Sequence, residues 1–176
     1  MTDPVGRTGQ TDRFEIHQVV LRYCRGVDRL DLDLVRRAYH PEGIDHHTGF
    51  DGGVDEYLDW VRTALQRFSG TMHIIGNHLV DLHGDRAISE TYGTAVHWTD
   101  GSEDPRRNFT SGFRYIDLMA FRSGRWAIDE RWAVREWTRS DAGRLMDREG
   151  PGPAGSRDGE DPLARLQARF TDGSPR

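Results

Sequence analysis

The chain has 176 residues, 35% hydrophobic and 30% charged, with a formal net charge of -5. Every basic residue is arginine, which excludes a Schiff-base lysine and a phosphate-loop lysine, and the acidic balance excludes the basic footprint of a general nucleic-acid binder. The single cysteine, Cys24, allows no internal disulfide, no apolar run reaches membrane-spanning length, and residues 1–10 hold no apolar signal core, so a cytoplasmic protein without nucleic-acid or membrane partners is expected.

Residues 1–10 read as a disordered leader, 11–139 as one folded domain and 140–176 as a flexible tail. Thr11 or Asp12 is expected to cap a helix that runs to Arg29, with Glu15 in capping-box position. Ile16, Val19, Val20, Tyr23 and Val27 form one apolar stripe at helical spacing. His17, Leu21, Cys24 and Asp28 form an adjoining stripe. Two inward stripes suit a helix lying across a curved sheet. Asp28 is notable because the C-terminal end of a helix favours cations; it reads either as a buried functional group or as a surface carboxylate near a turn. Cys24 reads as core packing.

Asp31 or Asp33 opens a short second helix, and His40-Pro41 ends it. Residues 43–48 form a short strand on which Asp45 and His47 share one face and Ile44 and His46 the other. Adjacent His46 and His47 therefore point apart and do not chelate a metal together. A turn-rich link, Gly49 to Gly53, precedes a helix from Val54 to Phe68. The rest of the domain is β. The stretch TMHIIGNHLV is a strand with His73 near its start, and on simple alternation His78 faces away from His73. A hairpin at His83-Gly84-Asp85-Arg86 leads to a strand reaching Asp100, a polar loop to Arg107, a strand from Asn108 to Arg122, a Ser123-Gly124 turn and a last strand to Thr138. Long strands joined by hairpins predict an antiparallel sheet. Gly76, Gly93 and Gly112 mark positions for bulges or bends. In the tail, Pro162 to Phe170 reads as a short helix with Leu163, Leu166 and Phe170 on one side.

Helices followed by a long curved sheet give an α+β class, a cone wrapped around a pocket. Three segments carry a family resemblance: YCRGVDRLDLDLVRRAYHPEGIDHHTGF, TMHIIGNHLVDLHGDRAISETY and GFRYIDLMAFRSGRWAIDERWAVREW. They resemble the SnoaL-like branch of the nuclear transport factor 2-like superfamily. In its dehydratases and dehydrochlorinases, an Asp ending the first helix pairs with a His at the start of a later strand; Asp28 and His73 fall on those positions. An arginine in the last strand falls at Arg131. The lysine of the dehydrochlorinases has no counterpart, which puts halide elimination in doubt. The resemblance also implies a homo-oligomer, dimer or trimer.

What the resemblance implies chemically is a cofactor-independent lyase or isomerase, a dehydratase or cyclase acting on a hydrophobic cyclic small molecule. Histidine titrates at about 6.5 when unperturbed. A carboxylate on its far nitrogen fixes the tautomer and supports the imidazolium. Arg131, Tyr23 or Tyr115 would stabilise developing charge. Asp45, His47, Trp60, Asn77, Phe113 and Trp132 are the further candidates for contact with substrate, and no metal or organic cofactor is required. Taken alone, His73 also reads as a strand histidine on a backbone carbonyl, and Arg131 as an ion pair with Asp129, Glu130 or Glu136. Two other functions share the fold. A non-catalytic binding or assembly subunit would hold Asp28 and His73 more than about 5 Å apart or lack a pocket. An epoxide-hydrolase-like enzyme would need an Asp–Arg–Asp cluster, with Asp117, Arg114 and Asp129 as candidates.

Overall fold

Helix α1 (Gly9–Arg29) is capped by Thr8, whose hydroxyl accepts from the Thr11 amide at 3.2 Å. The cap thus lies earlier than the expected Thr11 or Asp12. Asp12 is used elsewhere: it is buried and accepts from Trp126 Nε1 at 2.8 Å. The computed structural model describes residues 8–102, 104, 106–141 and 155–171. Most of the expected leader and the linker 142–154 fall outside these residues.

The inner face of α1 buries Ile16, Val19, Val20, Tyr23, Cys24 and Val27, whereas Leu21 of the second stripe is exposed. The helix stops at Leu30, which takes a left-handed conformation (φ 55°) and returns its N–H to the carbonyls of Gly26 and Val27. Asp31 then caps α2 (Leu32–Ala38) through the Leu34 amide. A side chain at Gly26 would collide with Val35 at 2.8 Å, so glycine lets α2 fold back tightly on α1.

Strand β1 (Tyr39–His47) begins earlier than expected and pairs antiparallel with β2 (Phe50–Gly53), which replaces the expected loose link. Helix α3 (Val54–Leu65) buries Val54, Tyr57, Val61 and Leu65. Strands β3 (Gly70–His83), β4 (Arg86–Trp98), β5 (Phe109–Arg122) and β6 (Arg125–Ser140) follow as hairpins. The sheet order is β2-β1-β6-β5-β4-β3. One pairing departs from the antiparallel expectation: β1 runs parallel to β6. These strands are far apart in sequence, so hairpin logic does not govern them. Residues 1–144 form one compact unit and 145–176 another. The second contains α4 (Pro162–Thr171), close to the expected helix, with the Leu163 amide on Asp161 Oδ1 at 3.0 Å. The side chains of Leu166 and Phe170 lie outside the described set.

The register of β3 shifts between Ile75 and His78, at the Gly76 position expected to bend. This bulge overturns the reading of His78. One extra residue reverses the alternation, so His78 faces inward like His73. His78 Nδ1 lies 3.1 Å from His17 Nδ1 of α1, and its Nε2 is bonded to Ser89 of β4 at 2.9 Å. Burial, then the neighbouring His17, pushes the His78 pKa down to about 4.

Arg131 of β6 is fully buried, as is its partner Asp117 of β5. Two hydrogen bonds of 2.7 Å each join them. The guanidinium carbon lies 4.0 Å from the Tyr23 ring centroid and 4.1 Å from that of Tyr115. Burial opposes the Arg131 charge, but the facing Asp117 carboxylate and the surrounding groups outweigh it and keep the guanidinium ionised, its pKa above the ordinary arginine value.

Two outcomes are expected. Arg131→Met or Asp117→Asn breaks a buried pair and should cost about 3–5 kcal/mol in urea denaturation, against a smaller loss when both are replaced by apolar residues; single variants as stable as the wild type would deny the pair its role. The folded-state pKa of His78 lies below its unfolded value near 6.5, so the unfolded chain binds the extra proton. The stability from neutral His78 is therefore complete above pH 6.5 and is lost as pH falls towards about 4. The stability difference between wild type and His78→Asn should shrink across that window in denaturation curves at stepped pH; a constant difference would contradict it.

Candidate active site

The concave side of the sheet, closed by α1 and α3, encloses a cavity of about 510 Å³. Its walls are mainly aromatic: Tyr23, Tyr57, Trp60, Phe68, Phe109, Phe113 and Tyr115. Val27, Val61 and Ala95 add aliphatic surface, and His47, His73 and His97 add ring nitrogens.

β3 is the edge strand, so its outward amides have no strand partner. Asp28, in the last turn of α1, fills that role. One carboxylate oxygen accepts the His73 amide at 2.9 Å. The other accepts from His73 Nδ1 at 2.7 Å and from the Thr71 hydroxyl at 3.1 Å. Three donors therefore fix one carboxylate, and the bond to Nδ1 leaves Nε2 of His73 for a substrate. The His73 and Asp28 side chains are 8% and 14% exposed, dry enough for the pair to hold against water. His73 stands edge-on to Phe113, with ring centroids 5.6 Å apart.

A second histidine–carboxylate pair enters from β1. His47 Nδ1 is bonded to Asp45, which is fully buried and also accepts from the Tyr39 hydroxyl at 2.5 Å. Asp45 sits behind His47, and His47 itself faces the cavity, stacked on Tyr57 at 5.1 Å. The rings of Phe113 and Tyr115, 4.4 Å apart, form the wall between the two histidines. The Tyr23 and Tyr57 hydroxyls are hydrogen-bonded to each other. Burial raises the pKa of both, so they remain neutral phenols able to donate. Burial likewise pushes the Cys24 thiol up to about 12, which keeps it from acting as a thiolate nucleophile.

The expected residues thus divide. Tyr23, His47, Trp60, His73, Phe113 and Tyr115 line the cavity, and Asp28 and Asp45 orient its histidines. Arg131 does not reach the wall: it lies under Tyr23 and Tyr115, held by Asp117 and not by the strand neighbours Asp129, Glu130 or Glu136. Asn77 is exposed in the β3 bulge and lies outside the cavity lining, because the extra residue turns it away. Trp132 is 40% exposed on the convex face, where it stacks on His46. The Asp–Arg–Asp cluster is not assembled. Arg114 bridges Glu90 and Glu136, and Asp129 binds Arg122. His46 is turned to Asp51 and Glu130, away from His47, and no group of three or more His, Cys, Asp or Glu among the described residues is placed to hold a metal. Tyr57, Phe68, His97 and Phe109 were not among the expected site residues. Tyr57 follows helical spacing with Val54, Val61 and Leu65. For His97 and Phe109, stacked at 4.4 Å, strand alternation was the available signal.

The Asp28–His73 separation and the open cavity are both at odds with what the non-catalytic reading expects. No described helix is long and apolar enough to cross a membrane.

Comparison with known proteins agrees with this architecture. Kfla4162 from Kribbella flavida superposes with a TM-score of 0.69 at 23% identity, covering 75% of this chain and 95% of that one. A hexachlorocyclohexane dehydrochlorinase, LinA-type3 from Novosphingobium barchaimii LL02, superposes with a TM-score of 0.68 at 14% identity, covering 79% and 97%. An uncharacterised protein of Mycobacterium tuberculosis H37Rv, Rv2910c, is 32% identical over 82 residues, 45% of this chain. The chain spans about half, 56%, of the length of the curated relatives it matches. The family described as SnoaL-like domain matches residues 10–132. With that match over more than half its length, and with helices closing a curved sheet around a histidine-bearing cavity, the chain belongs to the SnoaL-like domain family of the nuclear transport factor 2-like superfamily.

Proposed function

We propose that the protein is a cofactor-independent lyase or isomerase, a dehydratase or cyclase, that removes a proton from a hydrophobic cyclic substrate. One observation carries this reading: a carboxylate held by three donors sits 2.7 Å from Nδ1 of a histidine in the wall of an aromatic cavity. The structural likeness to a hexachlorocyclohexane dehydrochlorinase is consistent with elimination chemistry, although this chain contains no lysine.

His73 is the general base. Asp28 on Nδ1 sets the tautomer and supports the imidazolium formed when Nε2 takes a proton next to a carbonyl or aryl group. Negative charge then develops on the substrate oxygen. The hydrogen-bonded Tyr23–Tyr57 phenol pair supplies the donor for it, with Tyr23 backed by the buried Arg131 cation. His47, oriented by Asp45, binds a second oxygen from the β1 side. In a dehydration, the C–H electrons form the new double bond, the C–O bond breaks, and His73 returns its proton to the departing hydroxide as water. In an isomerisation the proton returns to carbon. The dry aromatic wall strengthens each of these contacts.

The test separates proton abstraction from the choice of leaving group. A panel of hydroxylated bicyclic ketones is incubated in D₂O, and α-deuterium uptake and water loss are followed by mass spectrometry. Wild type should exchange at least one of them, and His73→Gln and Asp28→Asn should each reduce the rate by about 10²–10⁴-fold with unchanged circular dichroism. Near-wild-type rates in both variants would sink the reading. His47→Gln should weaken binding and lower turnover while leaving measurable exchange, since His73 remains in place.

A further inference from the structure

The cavity wall is apolar, but its lining also includes Arg67, Arg106, Arg107 and Arg135, with Asp104 as the lining carboxylate. This is a local excess of positive charge in a chain whose net charge is -5. The arginines come from three separate elements: the link between α3 and β3, the loop between β4 and β5, and β6. Asp104 is already engaged by Arg106, through bonds of 3.1 and 2.9 Å. Arg67 donates through Nε to the Ala64 carbonyl at 3.1 Å, which leaves its two terminal nitrogens. Among the described residues, Arg67 and Arg135 have no carboxylate within ion-pair distance, Arg107 shares the field of Asp104 with Arg106, and all three arginines are exposed to solvent. Arg114 and Arg122, on the outer surface, are each paired with two acids. Cations in excess over carboxylates beside low-dielectric walls concentrate their field in the space between them, and a guanidinium presents a fork that suits a carboxylate, sulfonate or phosphate.

We propose that the substrate is an amphiphile: a cyclic apolar body that lies among the aromatic rings and an anionic group that is bound by Arg67, Arg107 and Arg135. This deepens the proton-abstraction reading by naming the substrate class, and it rests on that reading only for the identity of the bound molecule as substrate. The anion, together with the His47 contact, fixes which carbon is presented to His73, because the apolar walls alone give no rotational preference.

A matched pair of fluorescent probes tests it: 8-anilinonaphthalene-1-sulfonate, and N-phenyl-1-naphthylamine, which lacks the sulfonate. The sulfonate should bind at least about tenfold more tightly, compete with the neutral probe for one site, and lose affinity as salt is raised while the neutral probe does not. Arg67→Gln and Arg135→Gln should each erase most of that preference, and the triple variant with Arg107→Gln all of it, with neutral-probe binding retained. Arg62→Gln, on the outer face of α3, serves as the control and should change nothing. Equal affinities for the two probes, absence of competition, or an equal loss in the control would overturn the proposal. His73→Gln should keep the anion preference, so a failed catalytic reading and a failed anion site give different results.

Discussion

A guanidinium remains charged at any pH a protein meets, and here one is placed at zero exposure. That constraint organises the domain. Arg131 requires a counter-charge, and the β5–β6 register sets Asp117 directly opposite it. It also requires polarisable surface in place of water, which α1 supplies with Tyr23 and β5 with Tyr115. Tyr39 of β1 lies 6.0 Å away on another side. A helix and three strands are thus held around one cation, and the phenols that solvate it become the floor of the cavity. Tyr23 separates Arg131 from the cavity, so any effect of the cation on a bound molecule would pass through that ring.

The cavity wall depends on a different problem, the open edge of β3. A sheet edge leaves amides unpaired, and proteins cover such edges. Here the cover is the end of a helix. Glycine at position 26 lets α2 pack closely on α1, and two residues later Asp28, in the last turn of α1, meets the strand at His73 and Thr71. The carboxylate that satisfies the backbone is the same one that orients the imidazole. The structural role and the proposed chemical role of Asp28 are therefore inseparable, and the helix dipole that disfavours an acid there is offset by three hydrogen bonds.

Much of this was legible in the sequence. The stripes of α1, the proline after α2, the hairpin glycines and the polar loop after β4 placed nearly every element, because each rests on local chemistry. The alternation of β1 correctly put Asp45 with His47 and separated His46. The failures share one cause, non-local geometry. Alternation counts along a strand, so the β3 bulge inverted everything after Gly76, which brought His78 inward and sent Asn77 out. Asp12 looked like a cap until Trp126, more than a hundred residues away, claimed it. For Arg131 the sequence offers acids along its own strand, whereas pairing across the sheet supplies Asp117. The parallel β1–β6 contact had no local signature at all.

The two histidine–carboxylate pairs bear on what such a cavity can distinguish. Each imidazole has its Nδ1 tied to a carboxylate that is itself anchored, Asp28 by a backbone amide and a threonine, Asp45 by the Tyr39 phenol. Neither ring can rotate without breaking those bonds, and packing against Phe113 and Tyr57 restricts them further. The directions of both Nε2 atoms are consequently set before anything binds. In the proposed reaction, a molecule between them would offer its acidic hydrogen and its oxygen at the separation that the Phe113–Tyr115 wall imposes. Specificity in that reaction would come from these two fixed nitrogens together with the arginines at the cavity, with the apolar rings supplying affinity and the neutral phenols the response to developing charge.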